Sequence, residues 1–325
     1  MSQLRSGHRV LVLGAGMVGV SCALSLRLRG FEVAVMDPLG PGAATSHGNA
    51  GVLARSSLMP FNHPGLWAQL PDLLRGRHPG FRYDPLWAAR QWRWGLAFLA
   101  HARAAAFNDT TRALDALIRH AGGVHRRWMN AAGISHRRRD DGWLFLYRGE
   151  AGFDSGAFGR DTMARFGVAT QALDEHELHA LEPHLKPVFR RALWVKDASA
   201  VDSPAEVVRG YARWLQDQGG QILVDGASAL RRHRDRWQVS SVDGATQEAE
   251  QVVIALGPWS RDFLHQQLRL RLPMAFERGQ HRHFHPLEGA VLNRPVYDTA
   301  GAYVMAPMAQ GWRLTTGVEL NAQHA

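Results

Sequence analysis

Apolar and polar positions alternate in period from the first strand onward, and the switches in period mark the elements. Arg9–Leu13 (RVLVL) is an uninterrupted apolar run of the kind a strand buried on both faces carries. Three glycines follow at once, and then VGVSCALSLRLRG has helical spacing and ends at Gly30 as a C-cap. A second strand is predicted over Phe31–Met36. From Phe61 to Gly133 the pattern is helical and rich in Trp and Arg. Trp87, Trp94 and Phe98 recur at helical spacing with Arg90, Arg93 and Arg103 as polar neighbours, which marks a core-facing stripe; a helix lying on a membrane surface is the alternative.

The second half returns to strands. Gly142–Tyr147 and Arg190–Asp197 are strand-like, with the helical DEHELHAL between them, and they begin the sheet of a second domain. Ser203, Pro204 and Glu206 form a capping-box signature, so a helix is predicted from about Pro204 to Gln218, stopping at Gly219. The strand QILV follows, a βαβ-like return to the first domain. A hairpin is predicted from Trp237–Val242 and Glu250–Ile254 around Asp243–Gly244.

Candidate chemistry sits where the first strand ends. In GAGMVG, Gly14 permits a tight turn, Gly16 lets the backbone approach a pyrophosphate, and Gly19 allows the helix to pack closely on the strand. The start of the helix then faces the phosphates. Asp37 closes the second strand at the spacing, about 20 residues, where a carboxylate accepts from ribose hydroxyls and repels a 2′-phosphate. This order of elements indicates a dinucleotide and argues against NADP, while leaving FAD and NAD both open. Just beyond lies TSHGNAG (Thr45–Gly51), small residues and donors that allow close backbone approach to a flat ring.

Composition narrows the classes. With 325 residues and 46% apolar content, two domains are expected. There is no run long enough to cross a membrane and no secretory signal at the N-terminus, so cytoplasmic residence is the default. The net charge of +9 comes from scattered arginines, with Lys186 and Lys196 the only lysines, and no stripe or motif points to nucleic acid. A basic surface beside an anionic membrane suits it better. The lone Cys22 makes no disulfide or Cys-rich metal site. His281, His283 and His285 alternate in QHRHFHP and project to one face of a strand, but nothing in their spacing supports coordination, so no metal is expected.

From Arg9 to Gly51 the sequence resembles the FAD-binding entry of the D-amino-acid oxidase superfamily. TSHGNAG is similar to the Thr-Ser, then Asn-Ala-Gly, pattern of the bacterial D-amino-acid dehydrogenase small subunit. Later matches are Ala198–Leu215, Val252–Ser260, and the pair AYVMAP with GWRLTTGVEL (Ala302–Leu320). The resemblance implies an α/β fold, α+β overall: a discontinuous Rossmann-like FAD-binding domain of residues 1–60 and about 200–265. Interleaved with it is a substrate domain of about 61–199 and 266–325 on a mostly antiparallel sheet. It implies FAD as cofactor, with Gly14, Gly16, Gly19 and Asp37 on the nucleotide. Thr45, Ser46, Asn49, Ala50 and Gly51 would touch pyrophosphate and flavin in an extended segment. Ala229 would meet adenine, and Ala255, Gly257 and Trp259 would line the other cofactor edge.

The activity implied is oxidative deamination of an amino acid, a D-amino acid first, by hydride transfer from Cα to flavin N5, giving a 2-oxo acid and ammonia. A respiratory quinone or carrier would be the acceptor, with peripheral contact at the inner face of the cell membrane. In related glycine oxidases a tyrosine in a Tyr-x-x-Pro setting holds the substrate carboxylate, and the resemblance assigns Tyr303 of AYVMAP that catalytic role. The family's partner arginine, in a Gly-Leu-Arg-Pro motif, is not found before Ala325. The resemblance therefore implies a C-terminally truncated fragment, expected to bind FAD poorly or turn over slowly. A glycine or sarcosine-type amine oxidase and a catalytically incompetent flavin-binding fragment are the alternatives.

Overall fold

The computed structural model of the chain describes residues 7–322. Among them lie four sheets of a mixed α/β architecture, divided between two compact units. The first unit runs to Gly48 and adds Arg127–Ser135 and Ser203–Met274. The second takes Asn49–Arg126, His136–Asp202 and the chain from Ala275.

In the first unit a four-stranded, all-parallel sheet has the order Gln221–Leu223, Glu32–Met36, Arg9–Leu13, Gln251–Ile254. Its two central strands are the apolar runs of the sequence, and Val10–Leu13 and Val33–Met36 are buried, as strands covered on both faces require. Helix Met17–Arg27 follows the first strand and packs on helix Pro204–Asp217. That second helix starts where the capping signature lies: the Ser203 side chain accepts from the Glu206 amide at 3.4 Å, with Pro204 in the first turn. Its buried stripe carries Val207, Val208, Tyr211 and Leu215, and Trp128 meets the Tyr211 ring edge-on at 5.7 Å.

The predicted hairpin is only half present. Arg236–Ser241 pairs antiparallel with Thr246–Ala249 around Gly244, whose φ is +91°. The chain then leaves, and Gln251–Ile254 pairs parallel with Arg9–Leu13 instead. The switch falls at Glu250, whose amide donates to the Arg9 carbonyl at 3.1 Å and whose carboxylate accepts from the Arg9 amide at 2.9 Å. One apolar run thus serves two sheets, which strand periodicity cannot reveal.

The second unit is built on an eight-stranded mixed sheet. Its order is Glu277–Phe284, Gly311–Leu320, Tyr303–Met308, Val296–Asp298, Trp143–Tyr147, Arg191–Val195, Thr170–Asp174, with Phe81–Tyr83 added against Gly311–Leu320. The last of these lies inside the stretch read as helical. Pro79–Gly80 and Asp84–Pro85 bracket it, and Gly317 lets the two backbones close, since a Cβ there would overlap the Gly80 carbonyl. This unit also carries helices Leu66–Leu74, Pro85–Arg90 and Trp92–Ala100 and the long helix Ala104–Ala131 as far as Arg126.

Strand pairing assigns each side chain a face, because partners share a face and alternate residues share a face. Phe145, Tyr297, Val304, Thr315, Arg313, His281 and His283 belong to one face. Leu144, Leu146, Val296, Asp298, Tyr303, Met305 and Leu314 belong to the other. Each face has its own core: Leu58, Tyr147, Phe153, Met163 and Leu193 on the first, Leu144, Leu146, Leu173, Phe189 and Val296 on the second. Trp94 stacks on Phe98 at 5.2 Å and meets Trp87 edge-on at 6.0 Å, so the aromatic stripe does face inward, while Trp92 is 57% exposed.

Two buried carboxylates tie loops to this second face. Glu182 accepts from the Asn293 amide at 2.9 Å, the Arg294 amide at 3.1 Å and the Arg294 guanidinium at 3.0 Å. Asp298 accepts from Arg148 Nη2 at 2.6 Å and from the amides of Ala300 and Gly301. Burial opposes the charge of Asp298, but the Arg148 hydrogen bond and charge and the Gly301 and Ala300 amides outweigh it, and its pKa lies below the usual carboxylate value. Its folded pKa is depressed, so its stabilisation is full above the unfolded value and fades as pH falls through the folded one. Asp298→Asn should therefore lower stability by about 2 kcal/mol at neutral pH and by less in acid. Urea midpoints at both pH values check this; an equal loss in acid and at neutrality would contradict it.

Candidate functional site

In the first unit the glycine turn is shaped by backbone contacts that leave no room for side chains. The Gly14 amide donates to the Met36 carbonyl at 2.8 Å, its φ is +104°, and a Cβ on it would overlap the Ala255 carbonyl. A Cβ on Gly19 would overlap the Gly14 carbonyl. Gly16 differs: a Cβ there would meet only Ser46 Oγ, at 3.2 Å, so one side of the turn is bare backbone. Helix Met17–Arg27 begins on that side with no side-chain cap at Gly16 and no acidic residue in its first turn. The Met17 amide donates to Ser46 Oγ at 2.9 Å. A helix start with no side-chain cap from its own N-cap residue and no acidic residue in its first turn fits a pyrophosphate.

Asp37 stands beside the turn. Its Oδ2 accepts from the Ala15 amide at 2.8 Å and its Oδ1 from the Leu39 amide at 2.9 Å. Each oxygen keeps a further lone pair for a hydroxyl donor. Ala255 continues the strand behind Gly14, its amide donating to the Leu13 carbonyl at 2.8 Å. Gly257, with φ +56°, opens the short helical turn Gly257–Trp259, and Trp259 is 44% exposed. Ala229 lies in a separate three-stranded sheet, opposite Ser240. Thr45 is exposed, and the segment it begins is not extended throughout, because the His47 amide donates to the Ala44 carbonyl at 2.9 Å and closes a turn.

In the second unit Asn49, Ala50 and Gly51 lead into the short strand Val52–Leu53. The Gly51 amide donates to Asn49 Oδ1 at 2.8 Å, and the Val201 amide donates to the Gly51 carbonyl at 2.8 Å. Gly51 is buried with φ +68°, and a Cβ on it would overlap the Val201 carbonyl and crowd Met308. Arg313, 5% exposed, donates from Nη1 to the Asn49 carbonyl at 2.8 Å and from Nε to His283 Nε2 at 3.1 Å. Burial lowers its pKa. Sequence reasoning missed this residue, although the GWRL strand that carries it is one of the matching stretches. An arginine on a strand gives no sign of its face until the register is known.

Tyr303 is not brought to this group. It sits on the opposite sheet face as the cross-strand partner of Asp298, and burial and that carboxylate raise its pKa. The physical reason is spacing. Three residues separate Tyr303 from Pro307, one more than Tyr-x-x-Pro, and one extra residue on a strand reverses the face. Val304 takes the face that Arg313 shares. His281 and His283 do share that face, with rings 5.8 Å apart, whereas His285 lies beyond the strand end. Among the described residues no group of three metal-type side chains converges.

Comparison with known proteins identifies the family. The profile of the FAD dependent oxidoreductase family matches residues 9–324, and the chain belongs to that family. It is 29% identical over 313 residues to a D-amino acid dehydrogenase of Methylobacterium sp., covering 94% of this chain and 71% of the relative. It is 27% identical over 286 residues to a D-amino-acid oxidase of Bradyrhizobium diazoefficiens, covering 85% of this chain and 66% of the relative. Glycine oxidase from Bacillus cereus superposes with a TM-score of 0.65 at 18% identity, over 97% of this chain and 71% of that one. The chain thus spans about two thirds of the length of the oxidase and 71% of the dehydrogenase.

If Arg313 holds the Asn49–Gly51 segment, Arg313→Met should release it. Amide exchange at Gly51 and Val52 is expected to rise at least tenfold, in keeping with loss of a charged hydrogen bond of about 2 kcal/mol. Unchanged exchange there would show that the segment is held by other contacts.

Proposed function

We propose that the protein is an FAD-dependent dehydrogenase that deaminates an amino acid oxidatively, a D-amino acid first, to a 2-oxo acid and ammonia. The observation that carries this reading is the glycine turn with Asp37 beside it, joined in one chain to the Asn49–Gly51 segment, whose Asn49 carbonyl Arg313 grips. In this reading the first unit is a Rossmann-like FAD-binding domain, expected over residues 1–60 and about 200–265, although residues 49–60 fall in the second unit, and the second is the substrate domain. Residues 1–6 and 323–325 of those ranges lie outside the described residues.

Bound FAD supplies the acceptor for the hydride leaving the substrate Cα. The residues do the positioning. Gly14, Gly16 and Gly19 let the backbone approach the pyrophosphate, and Asp37 accepts from ribose hydroxyls while disfavouring a 2′-phosphate. Ser46, Asn49, Ala50 and Gly51 offer small side chains and backbone amides to the flavin, and Thr45, Ala229, Ala255, Gly257 and Trp259 complete the set of proposed cofactor contacts. Tyr303 is the proposed anchor of the substrate carboxylate, and its pKa is raised by burial and by Asp298 beside it.

A respiratory quinone or carrier is the proposed electron acceptor. Exposed Trp67, Leu74, Leu86, Trp92 and Leu96, with Arg75, Arg90 and Arg93 among them, support a peripheral membrane contact. Among the described residues no helix is long and apolar enough to cross a membrane. Anaerobic mixing of the FAD-loaded chain with D-alanine, L-alanine, glycine and sarcosine tests the function. Bleaching of the flavin band by D-alanine, and reoxidation by a quinone analogue faster than by oxygen, is expected. Bleaching by glycine or sarcosine alone would replace the reading with an amine oxidase, and no bleaching by these or by a bulky D-amino acid such as D-phenylalanine would overturn it.

A further inference from the structure

Within the second unit, a cavity of about 470 Å³ opens between helices Leu66–Leu74, Pro85–Arg90 and Trp92–Ala100 and the eight-stranded sheet. Its floor carries Tyr297, Val318 and Leu320, and its walls Phe81, Trp87, Trp94 and Phe98. Protein interiors rarely hold voids larger than a water molecule, and a cavity of this size falls in the range of ligand sites, about 300–1,000 Å³.

Position and charge say what it suits. Tyr297 pairs with Val304, Val304 with Thr315, and Ala306 with Arg313, so the floor continues along the same sheet face to the residue that grips Asn49. No lysine or arginine is among the lining residues, and one carboxylate, Glu277, is. Glu277 reaches solvent, yet burial of its carboxyl among apolar walls raises its pKa. Burial also lowers the pKa of His63, which keeps that wall neutral at pH 7. An anionic group would meet no counter-charge here, whereas an aromatic or branched aliphatic group would meet ring faces and leucines.

We propose that this cavity receives the side chain of the amino-acid substrate and selects bulky aromatic or aliphatic side chains over small or acidic ones. The assignment rests on the oxidative-deamination reading above. It extends that reading by naming the substrate class.

Binding is measured by equilibrium dialysis on the FAD-loaded and the FAD-free chain, with D-tryptophan, D-phenylalanine, D-alanine and D-glutamate as probes, and flavin reduction is followed in parallel. D-tryptophan and D-phenylalanine should bind at least about tenfold tighter than D-alanine, and D-glutamate weakest. Gly95 lines the cavity on a helix, and a Cβ there meets nothing within 4 Å, so Gly95→Phe fills the space without a backbone clash. That variant, and Ala88→Leu from the neighbouring helix, should each lose the aromatic preference at least about tenfold with thermal midpoint retained. Glu277→Gln should narrow the gap between D-phenylalanine and D-glutamate. Equal binding of D-alanine and D-tryptophan, or unchanged D-tryptophan binding in both filled variants, would overturn the assignment. Selective binding without flavin reduction would sustain the cavity's selectivity while sinking the deamination reading, and reduction without side-chain preference would do the reverse.

Discussion

Close approach of backbone to backbone is the constraint on which the rest of this structure depends. Gly14 lies against the Ala255 carbonyl, Gly19 against the Gly14 carbonyl, and Gly51 against the Val201 carbonyl, each where a Cβ would overlap. In the first unit this seats helix Met17–Arg27 on its strand and leaves a bare turn at Gly16. In the second it fixes the strand that follows Asn49. None of these contacts is strong, yet any side chain at those positions would force the backbone apart.

Parity across the eight-stranded sheet is the second organising feature, and it decides what chemistry each face holds. Arg313, His283, Tyr297 and Val304 share one face, and Asp298 and Tyr303 share the other. A buried guanidinium that grips a carbonyl has thereby been placed beside Asn49, whereas the tyrosine that family resemblance singled out lies on the other face as the strand partner of Asp298.

What the sequence made legible follows the same physics. Arg9–Leu13, the glycine turn, Asp37 and the capped helix from Pro204 are local patterns, and each was readable because a few neighbouring residues determine it. The division of the Trp237–Ile254 region between two sheets was not, because Glu250 acts through Arg9, far away in the chain. Strand Phe81–Tyr83 was hidden among helices because its partner is Val318–Leu320. Arg313 and the aromatic cavity escaped for a related reason: face and enclosure belong to the pairing register, which composition does not carry. Trp87, Trp94 and Phe98 were recognised as inward-facing, but spacing could not say that they would line a space instead of filling it.

The chain's place in the FAD-dependent oxidoreductase family and the geometry of its glycine turn converge on one central claim, that the nucleotide it takes is FAD and not a nicotinamide cofactor. Titration of the flavin-free chain with FAD, followed by quenching of flavin fluorescence with NAD and NADP as competitors, tests it most directly. The account predicts saturable binding of one FAD per chain that neither nicotinamide cofactor displaces at equal concentration. Saturable binding of NAD with no binding of FAD would contradict it.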